Sequence, residues 1–381
     1  MTENFRTGDR VAIVGGGQLG RMMVTDAKRW GFSVTVLDPT PNCPAQQMGA
    51  EQIVAPLTDE AATRQLAAQS NFLTFEIEHI NTDVLRELAA EGVSINPSPE
   101  TLDKIKDKLR QKQFLQAAGI PTALFAGVSD KYDILQVAGE FGYPFVVKSR
   151  FGGYDGRGNI VINQPEDVDS ALQQFSCKPL YVEQFLRYQK ELAIMVVRSQ
   201  SGDIATYPVV ETIHKDNICH TVLAPAPIDP RAYQQAEELG RVTMEHLNGA
   251  GVFGIEMFMT EDGKVFINEI APRVHNSGHY TIKGCSTSQF EQHVRAVTGL
   301  PLGETGMVVP AAVMINILGN RTGPAQLHGL REALKIPGAD VYVYGKHDTR
   351  PARKMGHITV LADSLERAFE RAQLAREYIS I

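Results

Sequence analysis

Short apolar runs alternate with amphipathic stretches over the first hundred positions. Residues 10–15 (RVAIVG) form one run, a glycine turn and a helically spaced stretch to about Gly31 follow, and FSVTVLD forms a second run. That succession predicts a βαβ unit. Further runs at QIVAP, NFLTFE and VSINPS extend it, which predicts a small parallel sheet with helices on both faces. Ser98-Pro99 supplies an N-cap and a proline at the first helical position, and Leu102, Ile105 and Leu109 continue one stripe towards Gly119 and Pro121. One helix bridging two domains is expected there.

Beyond it the pattern turns to strands: YPFVVKSR, NIVIN, LYVEQFL and ELAIMVVRS between 143 and 198, with more strands around a helix near 229–248. Tight connections predict antiparallel pairing. The final segment holds MVVPAAVMINILG, ADVYVYGK and MGHITVLAD, then a helix from about Ser364. Asp363 and Glu366 are its expected capping box, and Leu365, Ala368, Phe369 and Ala372 its buried face.

With 381 residues, 43% of them hydrophobic and 21% charged, the chain has material for two or three ordinary cores. The net charge of −7 is interspersed, which excludes the basic tract that a nucleic-acid binder needs. No stretch approaches the roughly 20 apolar residues of a membrane span, and the start lacks a leader-like apolar core; a cytoplasmic location is expected. Cys43, Cys177, Cys219 and Cys285 lie far apart, a spacing that argues against a zinc site or disulfide framework.

Candidate chemistry begins at Gly15-Gly16-Gly17-Gln18-Leu19-Gly20, a G-x-G-x-x-G turn with Asp38 closing the next strand. NAD is one reading; a substrate phosphate or carboxylate would suit the same amides. Glu76, in TFEIEH at a strand end where open α/β sheets bind ligands, is a candidate hydrogen-bond partner for substrate. Lys148 ends FVVK before the glycine loop FGGYDGRGN and the strand IVIN. Strand, glycine loop, strand makes a hairpin lid rather than a P-loop. The connector after YVEQFL can read adenine through its backbone, and Glu191 can accept from ribose hydroxyls.

The strongest signal is GIEMFMTEDGKVFINE. Asp262-Gly263 is a favoured two-residue hairpin turn, which pairs 261 with 264 and so places Glu256 opposite Glu269, on a face shared with Phe258 and Ile267. Facing carboxylates repel unless a cation lies between them, and Mg²⁺ beside nucleotide phosphates supplies one. Arg350, Arg353 and Lys354, followed by His357, form a candidate phosphate site.

Together GGGQLGRM, TFEIEH, VVKSRFGGYDGRGN, VEQFL, GIEMF with FINEIAPRVHNSGHYT, and RPARKMGH resemble the ATP-grasp superfamily. Within it, their order is similar to that of the N5-carboxyaminoimidazole ribonucleotide synthetases of purine biosynthesis. The resemblance implies mixed α/β and α+β architecture: a Rossmann-like pre-ATP-grasp domain (1–100), an ATP-grasp domain (101–298, lid subdomain about 121–187) and a small β-rich C-terminal domain (299–381). It implies ATP bound by Lys108, Lys148, Gly153, Tyr154, Asp155, Gly156, Arg157, Gly158, Asn159, Glu183, Gln184, Phe185, Leu186, Glu191, His214, Asn268 and Glu269, with Mg²⁺ on Glu256 and Glu269.

Tyr154, Asp155, Arg157 and Arg273 would serve catalysis, Asp155 orienting or deprotonating the amine. Gln18, Leu19, Glu76, Asn276, Arg350, Arg353 and Lys354 would hold the ribonucleotide. The implied reaction is an ATP- and bicarbonate-dependent carboxylation of 5-aminoimidazole ribonucleotide through carboxyphosphate, by a homodimer. The rivals are a formate-dependent glycinamide ribonucleotide transformylase, whose lid is serine-rich, and a non-catalytic nucleotide-binding subunit.

Overall fold

The computed structural model describes residues 8–153, 158–175 and 178–381. Strands β1 (Arg10–Val14), β2 (Ser33–Leu37), β3 (Glu51–Ile53), β4 (Phe72–Phe75) and β5 (Ser94–Ile95) form an all-parallel sheet in the order β3-β2-β1-β4-β5. Helices α1 (Gln18–Arg29), α2 (Glu60–Ala68) and α3 (Thr82–Ala90) cross between strands. Residues Val11–Val14 of β1 are all buried because helices cover both faces of the sheet.

The bridging helix is two helices, α4 (Pro99–Lys106) and α5 (Lys108–Ala117), which corrects the single stripe expected from spacing. Asp107 breaks it: its backbone is extended, and its carboxylate accepts from the amides of Leu109 and Arg110 while pairing with Arg150. A side chain that caps a new helix competes with continuation of the old one.

Strands β6 (Phe125–Val128), β7 (Phe145–Ser149), β8 (Asn159–Ile162) and β9 (Leu180–Gln184) form an antiparallel sheet, β6-β9-β7-β8, covered by α6 (Lys131–Phe141) and α7 (Asp167–Phe175). The large sheet contains β10 (Tyr188–Arg198), β11 (Ile204–Thr206), β12 (Val210–Lys215), β13 (Ile218–Ala224), β14 (Gly251–Thr260), β15 (Val265–Ala271) and β16 (Ala311–Leu318). A two-stranded ribbon of β17 (Gly323–Pro324) and β19 (Asp348–Thr349) flanks β18 (Ala339–Val343) and β20 (Lys354–Ala362). The large sheet runs β15-β14-β10-β12-β13-β16-β20-β18, so the last segment shares a sheet with the middle one.

Helix α8 (Pro230–His246) packs on one face of that sheet. After the short α9 (Thr281–Gly284), α10 (Gln289–Thr298) is buried along almost its whole length and touches both α1 and β14. One apolar cluster therefore joins Val11 of the first sheet and Met22 of α1 to Met195, Phe290 and Met314. At the C-terminal end α11 (Leu330–Ala333) packs on α12 (Leu365–Tyr378). The cap of α12 is Ser364, whose hydroxyl accepts from the Arg367 amide; this corrects the box expected at Asp363, which pairs with the Arg367 side chain instead.

Candidate functional site

The hairpin β14–β15 carries Glu256 opposite Glu269, as the turn arithmetic required, but by a different route. The loop has three residues, Glu261-Asp262-Gly263, closed by Thr260 N–H to Lys264 O at 2.9 Å, with Gly263 in the left-handed region at φ 79°. That shifts the register by one, so Met257 pairs with Ile267. A bulge at Asn268 shifts it back. Ile267 and Ile270 enter the core beneath, while Asn268 and Glu269 both stay half-buried on the other face. Ile267 thus does not share the face of Phe258, contrary to the two-residue turn; the bulge puts Asn268 there.

Burial first, and the Glu269 charge second, push the Glu256 carboxyl up to about 7, against the pull of His214 and Lys108. Lys108, at the start of α5, donates to Glu269. His275 Nε2 lies 3.5 Å from Glu256 and is kept neutral by burial. His214 Nδ1 is 2.9 Å from Glu191, which also accepts from the Tyr188 hydroxyl at 2.8 Å. Tyr188 stacks on Phe258 at 4.4 Å, giving this end a flat apolar wall. Among the described residues no three carboxylates, histidines or cysteines converge as a closed metal cage. Two facing carboxylates with an adjacent amide fit Mg²⁺, which takes few protein ligands and completes its shell with phosphate oxygens and water.

The small sheet supplies the opposite wall. Lys148 pairs in register with Asn159 across the β7–β8 hairpin, and its ammonium lies 2.8 Å from Glu183 Oε2. Glu183 also receives the Tyr181 hydroxyl at 2.8 Å, so its carboxylate is spoken for and only its backbone is left for a base. Gln184, Phe185 and Leu186 are half-exposed at the end of β9. Gly153 and Gly158 end the described parts of the hairpin loop; Tyr154, Asp155, Gly156 and Arg157 lie outside the described residues. The loop root is fixed by Lys108 N–H to Arg150 O at 2.9 Å.

At the glycine turn, Glu76 accepts from the amides of Gly17 and Gly20, and Asp38 accepts from Gly16 at 2.9 Å. A β-carbon at Gly15 would fall 2.4 Å from Glu76 Cγ, and Gly15 has φ 101°, so both the space and the backbone require glycine. Glu76 therefore occupies the anion nest itself, and Asp38 is used by its own turn rather than turned towards a ribose. Leu19 is in the core, leaving only its backbone for a ligand. Glu78 is 2.9 Å from Arg273; despite burial, which acts to raise it, Arg273 and Lys108 hold its carboxyl below the usual range.

Asn276 and Asn316 form a reciprocal buried amide pair at 2.9 and 2.7 Å, which occupies most of Asn276's hydrogen-bonding capacity. Arg350 is exposed and Arg353 half-buried, donating to Asp348 O at 2.6 Å. His357 is not part of this cationic cluster. It is fully buried, bonded to the Tyr344 hydroxyl at 3.1 Å, stacked on Tyr342 and held neutral by burial, with its pKa pushed down to about 3. A bulge in β20, where Gly356 pairs with Ile317 and Lys354 with Leu318, leaves it on the face of Lys354, so what separates it from the charges is burial against Tyr342 and Tyr344.

Sequence reasoning missed Lys346, for which YGK gives no signal. Its ammonium donates to Gln18 Oε1 at 2.7 Å and Lys354 O at 2.6 Å, tying the glycine-turn helix to the cationic cluster. Burial, then the charges of Arg353, Lys354 and Arg350, against Glu76, push it down to about 7 from 10.5. The unfolded chain holds this proton up to about 10.5 and the folded one releases it near 7, so its contribution to stability rises with pH across that window. An anionic phosphate beside it favours the protonated form. The KM for a phosphorylated ligand is therefore expected to rise between pH 6.5 and 8, with a shallower slope in Lys346→Met; parallel slopes in the two proteins would remove Lys346 from the site.

Comparison with known proteins matches residues 9–106 to the ribonucleotide synthetase preATP-grasp domain, 113–290 to the ATP-grasp domain and 312–371 to the phosphoribosylaminoimidazole carboxylase C-terminal domain. An N5-carboxyaminoimidazole ribonucleotide synthase of Synechococcus elongatus is 41% identical over 97% of this chain and 93% of its own length. A phosphoribosylaminoimidazole carboxylase of Schizosaccharomyces pombe is 45% identical over 96% of the chain, which spans 67% of that longer protein. The crystal structure of N5-carboxyaminoimidazole ribonucleotide synthetase from Thermotoga maritima superposes with a TM-score of 0.89 at 46% identity, covering 98% of this chain and 99% of that one. The Aspergillus clavatus synthase in complex with ADP and 5-aminoimidazole ribonucleotide superposes at 0.90 with 38% identity, covering 97% and 98%.

Proposed function

The chain belongs to the N5-carboxyaminoimidazole ribonucleotide synthases of the ATP-grasp superfamily, and from that premise we infer the division of labour within its site. It is an ATP-dependent ligase that carboxylates 5-aminoimidazole ribonucleotide to N5-carboxyaminoimidazole ribonucleotide. The observation that carries the assignment of residues is the bulged hairpin, which presents Glu256, Asn268 and Glu269 on one face beside Lys108.

Bicarbonate is a poor electrophile until one oxygen is phosphorylated. Lys108 and Lys148 hold the phosphate oxygens, and Arg273 holds bicarbonate through the donors that Glu78 leaves open. Mg²⁺ bound at Glu256 and Glu269 would neutralise charge developing on the transferred phosphoryl group. Tyr154, Asp155 and Arg157 serve the carboxyphosphate end, where water must be kept out, and Asp155 orients the acceptor amine. Bicarbonate-dependent release of phosphate from ATP, measured with and without the ribonucleotide, tests this reading. Formate-dependent turnover of glycinamide ribonucleotide instead would establish the transformylase rival.

Arg353 and Lys354 bind the 5′-phosphate on this reading. Removing one charged hydrogen bond costs about 1.5–3 kcal/mol, or roughly tenfold to a hundredfold in affinity. Arg353→Ala or Lys354→Ala should raise the KM for the ribonucleotide by that factor and leave the KM for ATP nearly unchanged; equal rises for both would move the phosphate elsewhere. No helix among the described residues is long and apolar enough to cross a membrane, and we take the working unit to be a cytoplasmic homodimer, which sedimentation of the purified protein would check.

A further inference from the structure

Lys112 lies outside every nucleotide contact described above, yet it is 1% exposed, deeper than any lysine of the site. Its ammonium donates to Thr122 Oγ1 at 2.8 Å, approaches Ile267 O at 3.4 Å and lies 3.3 Å from Glu183 Oε1. Thr122 in turn donates to Ile267 O at 2.8 Å. Lys112 is thereby anchored to the large sheet, one residue from the Asn268 bulge. Glu183 and Lys148 belong to the small sheet. One buried carboxylate is thus shared by two lysines, one from each wall of the cleft.

We propose that Lys112 is a positioning residue, the permanent counter-ion of Glu183, which lets Lys148 leave that carboxylate for an incoming nucleotide phosphate. The inference rests on the reading of Lys148 as a phosphate ligand. A carboxylate this buried cannot be left without a cation, because breaking a buried pair exposes the full cost of its desolvation. If Lys148 were its only partner, movement towards phosphate would bear that cost. With Lys112 fixed on the other oxygen, the exchange replaces one anionic partner of Lys148 by another and leaves Glu183 paired. Burial pushes Lys112 down to about 8, with Glu183 opposing, so the pair remains ionic at neutral pH.

The test is the affinity of the full-length protein for a non-hydrolysable ATP analogue by calorimetry, with melting curves as a check of folding. Lys148→Met should weaken binding; if it does not, the reading of Lys148 fails, whatever Lys112 does. Lys112→Met should weaken it by about tenfold or more, since Glu183 then retains Lys148. The double variant Lys112→Met/Glu183→Gln should recover affinity to within about threefold of the parent, because a neutral amide no longer holds Lys148. A structural role alone would make the double variant at least as poor as the single one. Unchanged affinity in Lys112→Met, or no recovery in the double variant, overturns the proposal. Should Lys112→Met fail to fold, Glu183→Gln alone decides: affinity equal to or above the parent supports the exchange, and a loss beyond about tenfold refutes it.

Discussion

Replacing Glu269 by glutamine is expected to lower kcat by about a thousandfold or more while leaving the fold intact. Glutamine keeps the shape of the side chain and the bulge that aims it, but removes one of the two facing charges on which the proposed Mg²⁺ site rests. Removing a group that stabilises charge only in the transition state costs about a hundredfold to a thousandfold, and loss of a metal ligand adds to that. Stability should hold, because Glu269 is a source of repulsion as well as a partner of Lys108: its charge is the second cause of the raised Glu256 pKa. In the variant the Glu256 carboxyl should return towards its usual range. Steady-state turnover and a melting curve suffice, and parental kcat in a folded Glu269→Gln protein would end the metal assignment.

Asp155→Ala should separate the two half-reactions. The described ends of its loop rise from the β7–β8 hairpin, whose Lys148 faces the nucleotide wall, and from Arg150, whose carbonyl is tied to the Lys108 amide. On the proposed division of labour, phosphoryl transfer depends on Lys108, Lys148 and the carboxylate pair, which the substitution leaves unchanged in sequence. Attack by the amine depends on the group that orients it, and loss of a positioned base costs about a hundredfold to ten-thousandfold. Bicarbonate-dependent ATP hydrolysis should therefore persist in part while carboxylated product falls by that larger factor. Phosphate and carboxylated nucleotide are to be measured in the same reaction. A common factor for both would mean that Asp155 serves the first step, or only covers the phosphates.

Glu256 and Glu269 show both the power of local reading and its limit. Their pairing was legible because a hairpin closes by local hydrogen bonds, and two opposite shifts, the three-residue loop and the Asn268 bulge, cancel by the time they reach the carboxylates. The same arithmetic misplaced Ile267, which lies between the shifts. The break at Asp107 was not legible: a helical stripe passes through Leu102, Ile105 and Leu109 without interruption, and what ends α4 is a carboxylate also held by Arg150, just past β7. His357 follows its charged neighbours in the chain, and only packing against Tyr342 and Tyr344 buries it away from them.

Most strands, the glycine turn, the β7–β8 hairpin and the pairing of the two carboxylates were legible locally, because turns and alternation rest on interactions a few residues long. Where the charges find partners follows from long-range packing. Lys108 meets Glu269 from 161 positions away, and Lys346 meets Gln18 from 328. Glu76 fills the anion nest and Lys112 reaches Glu183 by the same kind of contact. A buried ion's energy depends on its desolvation and on the cations that packing brings within a few ångströms. No local pattern encodes that, since the partners lie far apart along the chain and meet only through tertiary packing.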